Sequence, residues 1–214
     1  MATTWYVSNN TGANGFSAGS DSNAGTSKGA PFLTIDKACK SVVAGDTVNV
    51  NSGGVSYSEN SGSGYLNVPT ACTIQTDATA LTNNGHAKMT DTSAAQTVNF
   101  AVASITWIAI DIDNASNAGY GINLASAATS ATIQQTTFFN ISGGAPCVRQ
   151  PNSVLTNVTL DRCIGSSANG VSATVATATT TPGPARPGCR ASSCTSTGFA
   201  RPPAARRRPT RPPS

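Results

Sequence analysis

The stretch Pro31–Val50, PFLTIDKACKSVVAGDTVNV, holds one short amphipathic helix, one stop and one strand. Ile35, Ala38, Cys39 and Val42 fall at i, i+3, i+4 and i+7, which is a single helical face. Thr34 is placed to cap the start with its hydroxyl, and Gly45 to take the left-handed conformation that ends a helix. After Asp46 the period changes from 3.6 to 2: Val48 and Val50 share one face, Thr47 and Asn49 the other. A helix of roughly ten residues, about 15 Å long, cannot bury its own apolar face. It must cover something, and the expectation is that it plugs the open end of a stack of strands.

Four stretches around this segment occur in a telling order: Trp5-Tyr6-Val7-Ser8, then Gly19-Ser20-Asp21-Ser22-Asn23-Ala24-Gly25-Thr26, then Ala30-Pro31-Phe32-Leu33-Thr34-Ile35, then Ala44-Gly45-Asp46-Thr47-Val48. In that order they resemble the amino-terminal cap of right-handed parallel β-helix proteins of the pectin-lyase-like superfamily. The resemblance covers about the first 50 residues. It implies an initial strand at residues 5–8, a loop over 9–30 and a cap helix over 34–43. It identifies a fold rather than an activity, because polysaccharide lyases, glycoside hydrolases, phage tailspikes and adhesins all share that fold. Asp21 sits where some members of the superfamily hold calcium, which needs several oxygen ligands. Neighbouring carboxylates are missing here, so Asp21 reads as a turn aspartate; no cofactor is expected, Ca²⁺ being the one the resemblance leaves open without a ligand cluster to support it.

Composition suits a solenoid better than a compact enzyme core. Only 10% of the 214 residues are charged and 6% aromatic, against about 25% charged in average globular chains. Charge is unevenly placed: residues 1–181 hold six basic and all nine acidic residues, a net charge of −3, and the other seven arginines lie from Arg186 onward. The start, MATTWYVSNN, has neither the basic nor the apolar region of a classical signal peptide, and no run approaches a membrane span. A protein assembled inside a cell and released by lysis would look like this, so the expected location is a virion or the extracellular space. Of the six cysteines, none forms a C-x-x-C pair and none lies near the single histidine, His86, so no metal site is expected. Cys39, Cys72, Cys147 and Cys163 read as small buried hydrophobes.

A repeat can be laid over the middle of the chain. Ile108-Ala109-Ile110, Thr136-Thr137-Phe138 and Val158-Thr159-Leu160 read as equivalent strands, their last members 28 and 22 residues apart. A second short strand comes after each: Gly121-Ile122, Cys147-Val148 and Gly170-Val171, after 12, 10 and 11 residues. Residues 77–96 are polar and weakly patterned. The expected fold is therefore all-β: a right-handed parallel β-helix solenoid with a short N-terminal capping helix, apparently truncated at the C-terminus. Residues 1–50 form strand, loop and cap, residues 51–175 form turns, and residues 176–214 form a disordered Pro/Arg-rich tail. That tail holds eight of the twelve prolines and seven of the thirteen basic residues, and proline at this density cannot supply ladder hydrogen bonds. Beginning in mid-repeat, it has the composition of a shifted reading frame rather than of a nucleic-acid-binding arm, so neither nucleic acid nor membrane is an expected partner.

With Ile110, Ile112, Phe138 and Leu160 inward, Asp111, Asp113, Phe139 and Asp161 project from one sheet, with Asp111 and Asp161 about 10 Å apart on either side of Phe139. Paired carboxylates at such separations supply the acid and the base or nucleophile of glycoside hydrolysis. Asp111 and Asp161 are thus the candidate catalytic residues. Phe139 and Asp113 are candidate substrate contacts, joined by Arg149 and Arg162, because polyuronate lyases need a cation beside the substrate carboxylate. The alternative is that all of these are solvated outward positions of alternating strands. Two functions fit this pattern: a glycan-contacting segment of a phage tailspike or similar surface protein, trimerising through its open end, or a polysaccharide lyase or hydrolase fragment lacking most of its active site. An adhesin is a third.

Overall fold

Every strand pairing in the computed structural model is parallel, and each joins one pass of the chain to the next. The structure describes residues 1–9, 12–54, 56–59, 65–91, 96–114, 119–125, 128, 130–141, 147–149, 157–165 and 178–181. The elements in chain order are β1 (Thr4–Val7), α1 (Ile35–Ser41), β2 (Thr47–Val50), β3 (Leu66–Val68), β4 (Thr73–Thr76), α2 (Ala78–Asn84) and β5 (Ala87–Asp91). Then come β6 (Gln96–Phe100), β7 (Ile105–Ile108), β8 (Ile110–Asn114), β9 (Tyr120–Leu124) and β10 (Ser130–Gln134). The last are β11 (Thr137–Phe139), β12 (Val148–Arg149), β13 (Asn157–Asp161), β14 (Ile164–Gly165) and β15 (Ala178–Thr181).

These strands form three parallel sheets. The first runs β1-β2-β4-β7-β10-β13-β15, the second β14-β11-β8-β5 and the third β12-β9-β6-β3. Successive strands visit the sheets in rotation, so β4-β5-β6, β7-β8-β9 and β10-β11-β12 are three complete turns of a β-solenoid. Among the described residues, the turn below them meets the second sheet at Tyr57, which bridges to Met89.

Register gives each sheet an inner and an outer column. In the first sheet Trp5, Val48, Ile74, Trp107, Ile133 and Leu160 stack inward. The residue before each is a threonine: Thr4, Thr47, Thr73, Thr106, Thr132 and Thr159 stand in one outward column. β-Branched residues suit such a half-exposed pleat and pair with their like across strands. In the third sheet Asn99 donates to the side-chain oxygen of Asn67 and Asn123 to that of Asn99, both at 2.8 Å. The core between the sheets is one cluster running from Val7 to Leu160. It is narrow: a Cβ on Gly121 would lie 2.6 Å from the Cys147 carbonyl oxygen and from the Phe138 ring.

The cap forms as expected, with differences at its ends. Ile35, Ala38, Cys39 and Val42 are all buried, and α1 packs on β1, β2 and β3. The Thr34 hydroxyl accepts from the Lys37 amide at 3.1 Å. The helix stops earlier than expected, however, in an extended Val42 rather than at Gly45. Gly45 does take a positive φ, 91°, but in the turn into β2. Asp46 closes this corner: its carboxylate accepts from the Thr3 and Val43 amides and from the Trp5 indole at 2.7 to 2.9 Å. The indole hydrogen bond first, then the two amides, hold its carboxyl below the usual range. Both oxygens of Asp21 are likewise committed, to the Leu33 and Thr34 amides and the Thr34 hydroxyl.

The proposed repeat needs correcting. Val148 does pair with Ile122 in the third sheet, but in the second sheet Phe138 pairs with Ile112, two residues beyond the expected Ile110. Val158–Leu160 belongs instead to the first sheet, where Leu160 pairs with Ile133. The reason is a one-residue corner. Ala109, Gln135 and Arg162 adopt φ of 54°, 52° and 53° between the first and second sheets. The Ala109 amide still donates to Gln134, and the Gln135 amide to Asp161, each at 2.9 Å. Because the bend occurs without glycine or proline, Ile105–Asn114 looks like one region of strand with Ile108 and Ile110 on a common face. In fact Ile108 stacks with the outward Gln75 and Gln134. Gly170-Val171 lies outside the described residues, as do 182–214, and β15 falls inside the segment assigned to the tail.

Helix α2 was not anticipated. Asp77 caps it by accepting from the Thr79 and Ala80 amides, and Gly85 stands just past its end. Only Ala80 on it is buried, so no apolar period announces it. Among the described residues, no helix is long and apolar enough to cross a membrane.

Glu59 ties the cap to the first turn. Its carboxylate is buried and accepts from the Ile35 amide at 2.7 Å and the Asp36 amide at 2.9 Å, the open end of α1. Burial raises its pKa from 4.5 to about 7; the two amides oppose this, while the Asp36 and Asp21 carboxylates add to it. A carboxyl raised on folding contributes stability that is complete below its unfolded value and is lost as pH rises through its folded value. Urea unfolding should therefore show stability falling by about 3 kcal/mol between about pH 4.5 and 7 and levelling above. Glu59→Gln should flatten that slope, whereas an unchanged slope would assign it to another group.

Candidate functional site

Strand alternation sends one set of side chains outward on the second sheet, and the turns bring residues about 25 positions apart side by side. The outer face carries Lys88 from β5, Asp111 and Asp113 from β8, and Phe139 from β11. Lys88 stands in register with Asp111, and Phe139 with Asp113. His86, just before β5, and Asn140, just after β11, extend the group at its two ends.

The polar groups are paired diagonally. His86 Nδ1 lies 2.8 Å from Asp111 Oδ1, which also accepts from the Thr137 amide at 2.8 Å. Lys88 Nζ lies 2.7 Å from Asp113 Oδ2, and the Asn140 amide donates to Asp113 Oδ1 at 2.6 Å. The same ammonium sits 5.2 Å from the centre of the Phe139 ring, a cation–π distance. Each carboxylate thus joins more than one turn of the solenoid. Neither is spent entirely on folding, because His86 and Lys88 keep 29% and 41% of their side-chain surface in solvent.

A cavity of about 40 Å³ opens where the loop 51–54 crosses the start of β5; Tyr57 and the segment His86–Lys88 complete its wall. Tyr57 is buried and its hydroxyl donates to the Asn51 carbonyl at 2.9 Å, which holds that loop. Asn14 braces it from outside by donating to the Asn51 side chain and the Ser52 carbonyl.

The expected site residues divide into three places. Asp111, Asp113 and Phe139 do share one face. Asp161 does not: it is in the first sheet, in register with Gln134, and its partner is the adjacent Arg162, 3.2 Å away. The left-handed corner at Arg162 separates it from the second sheet, so the expected Asp111–Asp161 pair across Phe139 is not formed. Arg149 lies in the third sheet, in register with Asn123, its guanidinium 4.5 Å from the centre of the Tyr120 ring. His86, Lys88 and Asn140 were not anticipated as site residues. The signal for the first two was the alternation His86-Ala87-Lys88-Met89-Thr90 inside a stretch that is otherwise polar. Among the described residues, no group of three or more His, Cys, Asp and Glu could hold a metal ion. Cys39, Cys72 and Cys147 are buried and Cys163 is half-buried.

Residues 17–186 match the model of a protein family of unknown function. A comparison with curated proteins finds no match.

Removing Asp113 tests how far this face is built rather than merely decorated. Asp113→Ala leaves the Lys88 ammonium and the Asn140 amide without their acceptor, at a cost of about 1–2 kcal/mol. A denaturant midpoint equal to that of the unaltered chain would mean that water replaces both contacts.

Proposed function

We propose a carbohydrate-contacting role for this chain, which belongs to the DUF1565 family of proteins of unknown function. The observation that carries this reading is the second sheet's outer face, where the Phe139 ring stands beside Asp113, Asn140 and Lys88, with Asp111 and His86 adjoining. A sugar ring offers an apolar face to an aromatic ring and hydroxyls to carboxylates and amides at its rim. A flat parallel sheet repeats that opportunity every 4.8 Å or so along the solenoid axis. The cap resemblance to the pectin-lyase-like superfamily supports the reading, since glycans are the common ligands of that fold. A phage tailspike or a similar trimeric surface protein, in a virion or outside the cell, is the setting in which a capped solenoid contacts polysaccharide.

A polysaccharide lyase or hydrolase is the second reading. The two aspartates that share a face, Asp111 and Asp113, favour it, being about 7 Å apart along one strand, within the range that glycoside hydrolases use. Both carboxylates are already engaged, Asp111 by the His86 ring and Asp113 by the Lys88 ammonium, and Asp161, Arg149 and Arg162 stand elsewhere, which weighs against it.

Binding and cleavage separate the two readings. The purified chain should retain members of a panel of neutral and acidic polysaccharides on affinity electrophoresis without releasing reducing ends or unsaturated uronate. Phe139→Ala should weaken retention by about 10-fold, the lower part of what burying an aromatic side chain contributes. New reducing ends would favour the enzyme, and equal retention by Phe139→Ala would remove this face from the proposal.

A further inference from the structure

The His86–Asp111 pair and the cavity beside it do more than glycan binding requires. Asp111 engages Nδ1 of the ring, which leaves Nε2 as the nitrogen that can exchange a proton, and His86 itself lines the cavity. A carboxylate bound to one imidazole nitrogen fixes the tautomer in which the other is a base, and it stabilises the ring once protonated. Asp111 is itself anchored by the Thr137 amide of the next turn, so the ring's orientation is set by two turns. Lys88, two residues further along, also lines the cavity, while its ammonium is held by Asp113.

Size selects the chemistry. A cavity needs about 10–15 Å³ by this measure to hold one water, so 40 Å³ accommodates about three waters or a group of three or four heavy atoms. Ligand-sized pockets run to several hundred Å³. No sugar ring fits, but an acetyl group and an attacking water do, while the sugar that carries the acetyl lies outside against Phe139.

We propose that this site removes small acyl esters from a glycan, with His86 as the general base and Asp111 as its positioning residue. The proposal rests on the glycan-contacting reading of the same face. Water adds to the acyl carbonyl carbon as His86 Nε2 takes its proton. The tetrahedral intermediate collapses with cleavage of the bond between the acyl carbon and the sugar oxygen. The departing alkoxide recovers the proton from Nε2, so the products are a carboxylic acid and the free sugar hydroxyl, with the imidazole neutral again. No oxidant, metal or cofactor enters the balance.

The test incubates the full chain with O-acetylated xylan oligosaccharides, following acetate by proton NMR, and measures binding of the same and the deacetylated oligosaccharides separately. Acetate release is expected, with a kcat lowered about 100-fold or more in His86→Gln while binding is retained. Added imidazole should restore part of the rate in His86→Gly. Because one oxygen of Asp111 serves both His86 Nδ1 and the Thr137 amide, Asp111→Asn keeps that oxygen and the tautomer but removes the charge that stabilises the protonated ring; kcat should fall about 10-fold or more with KM unchanged and the unfolding midpoint preserved. Oligosaccharide binding with no acetate release above that of His86→Gln overturns the inference and leaves the binding reading in place. His86-dependent hydrolysis of 4-nitrophenyl acetate by a chain that binds no oligosaccharide supports the base and removes the glycan. Loss of activity in His86→Gly without imidazole rescue, in a variant whose unfolding midpoint is unchanged, overturns the general-base role.

Discussion

A parallel strand cannot satisfy its own backbone, nor can it be satisfied by its immediate successor in a hairpin. In this chain every described strand finds its hydrogen bonds in the pass before or after it, so the turns must stack in register or leave buried amides unpaired. One column of the first sheet shows what that demands: an inward Trp, Val, Ile or Leu preceded by an outward Thr, repeated from Trp5 to Leu160. A slip of one residue would bury the threonines and expose the aliphatic column. The stack also needs an end, and α1 supplies it. That short helix is held by its buried face, by the Thr34 cap and by Glu59, whose carboxylate reaches its first amides from the turn beneath.

The same stacking assembles the chemistry. His86, Asp111 and Thr137 are distant in sequence, yet a solenoid turn places them within hydrogen-bond reach. Lys88, Asp113 and Asn140 form a second chain of contacts across the same three turns. The outer face of the second sheet is therefore a lattice of paired polar groups with an aromatic ring, and not a row of independently solvated side chains. The cavity arises where that lattice meets the loop 51–54, which Tyr57 and Asn14 hold in place.

Much of this could be read from particular residues. The face Ile35-Ala38-Cys39-Val42 is buried as its spacing requires, and Val148 and Ile122 are neighbours in successive turns, though Phe138 lies beside Ile112 rather than Ile110. The error at Val158–Leu160 came from counting residues between strands without knowing where the corners lay. Corners at Ala109, Gln135 and Arg162 carry none of the glycine or proline that marks a turn, because stacking makes a left-handed residue tolerable where an isolated one would cost about 1 kcal/mol. The better signal was present throughout: Thr followed by a large apolar residue, at 4–5, 47–48, 73–74, 106–107, 132–133 and 159–160. Helix α2 escaped for the opposite reason, since Asp77 and Gly85 mark its ends while its body has no apolar stripe.

Local sequence by itself determined the periods, the cap and the alternation of inward and outward side chains, because these depend on bonding geometry within a few residues. Which sheet each strand joins was decided only in three dimensions, by single left-handed corners whose stability comes from the turns on either side. That decision separated Asp161 from Asp111 and gave Asp111 to His86 instead. A side chain's partners across a parallel stack depend on the length of an entire turn, and a difference of one corner is enough to exchange them.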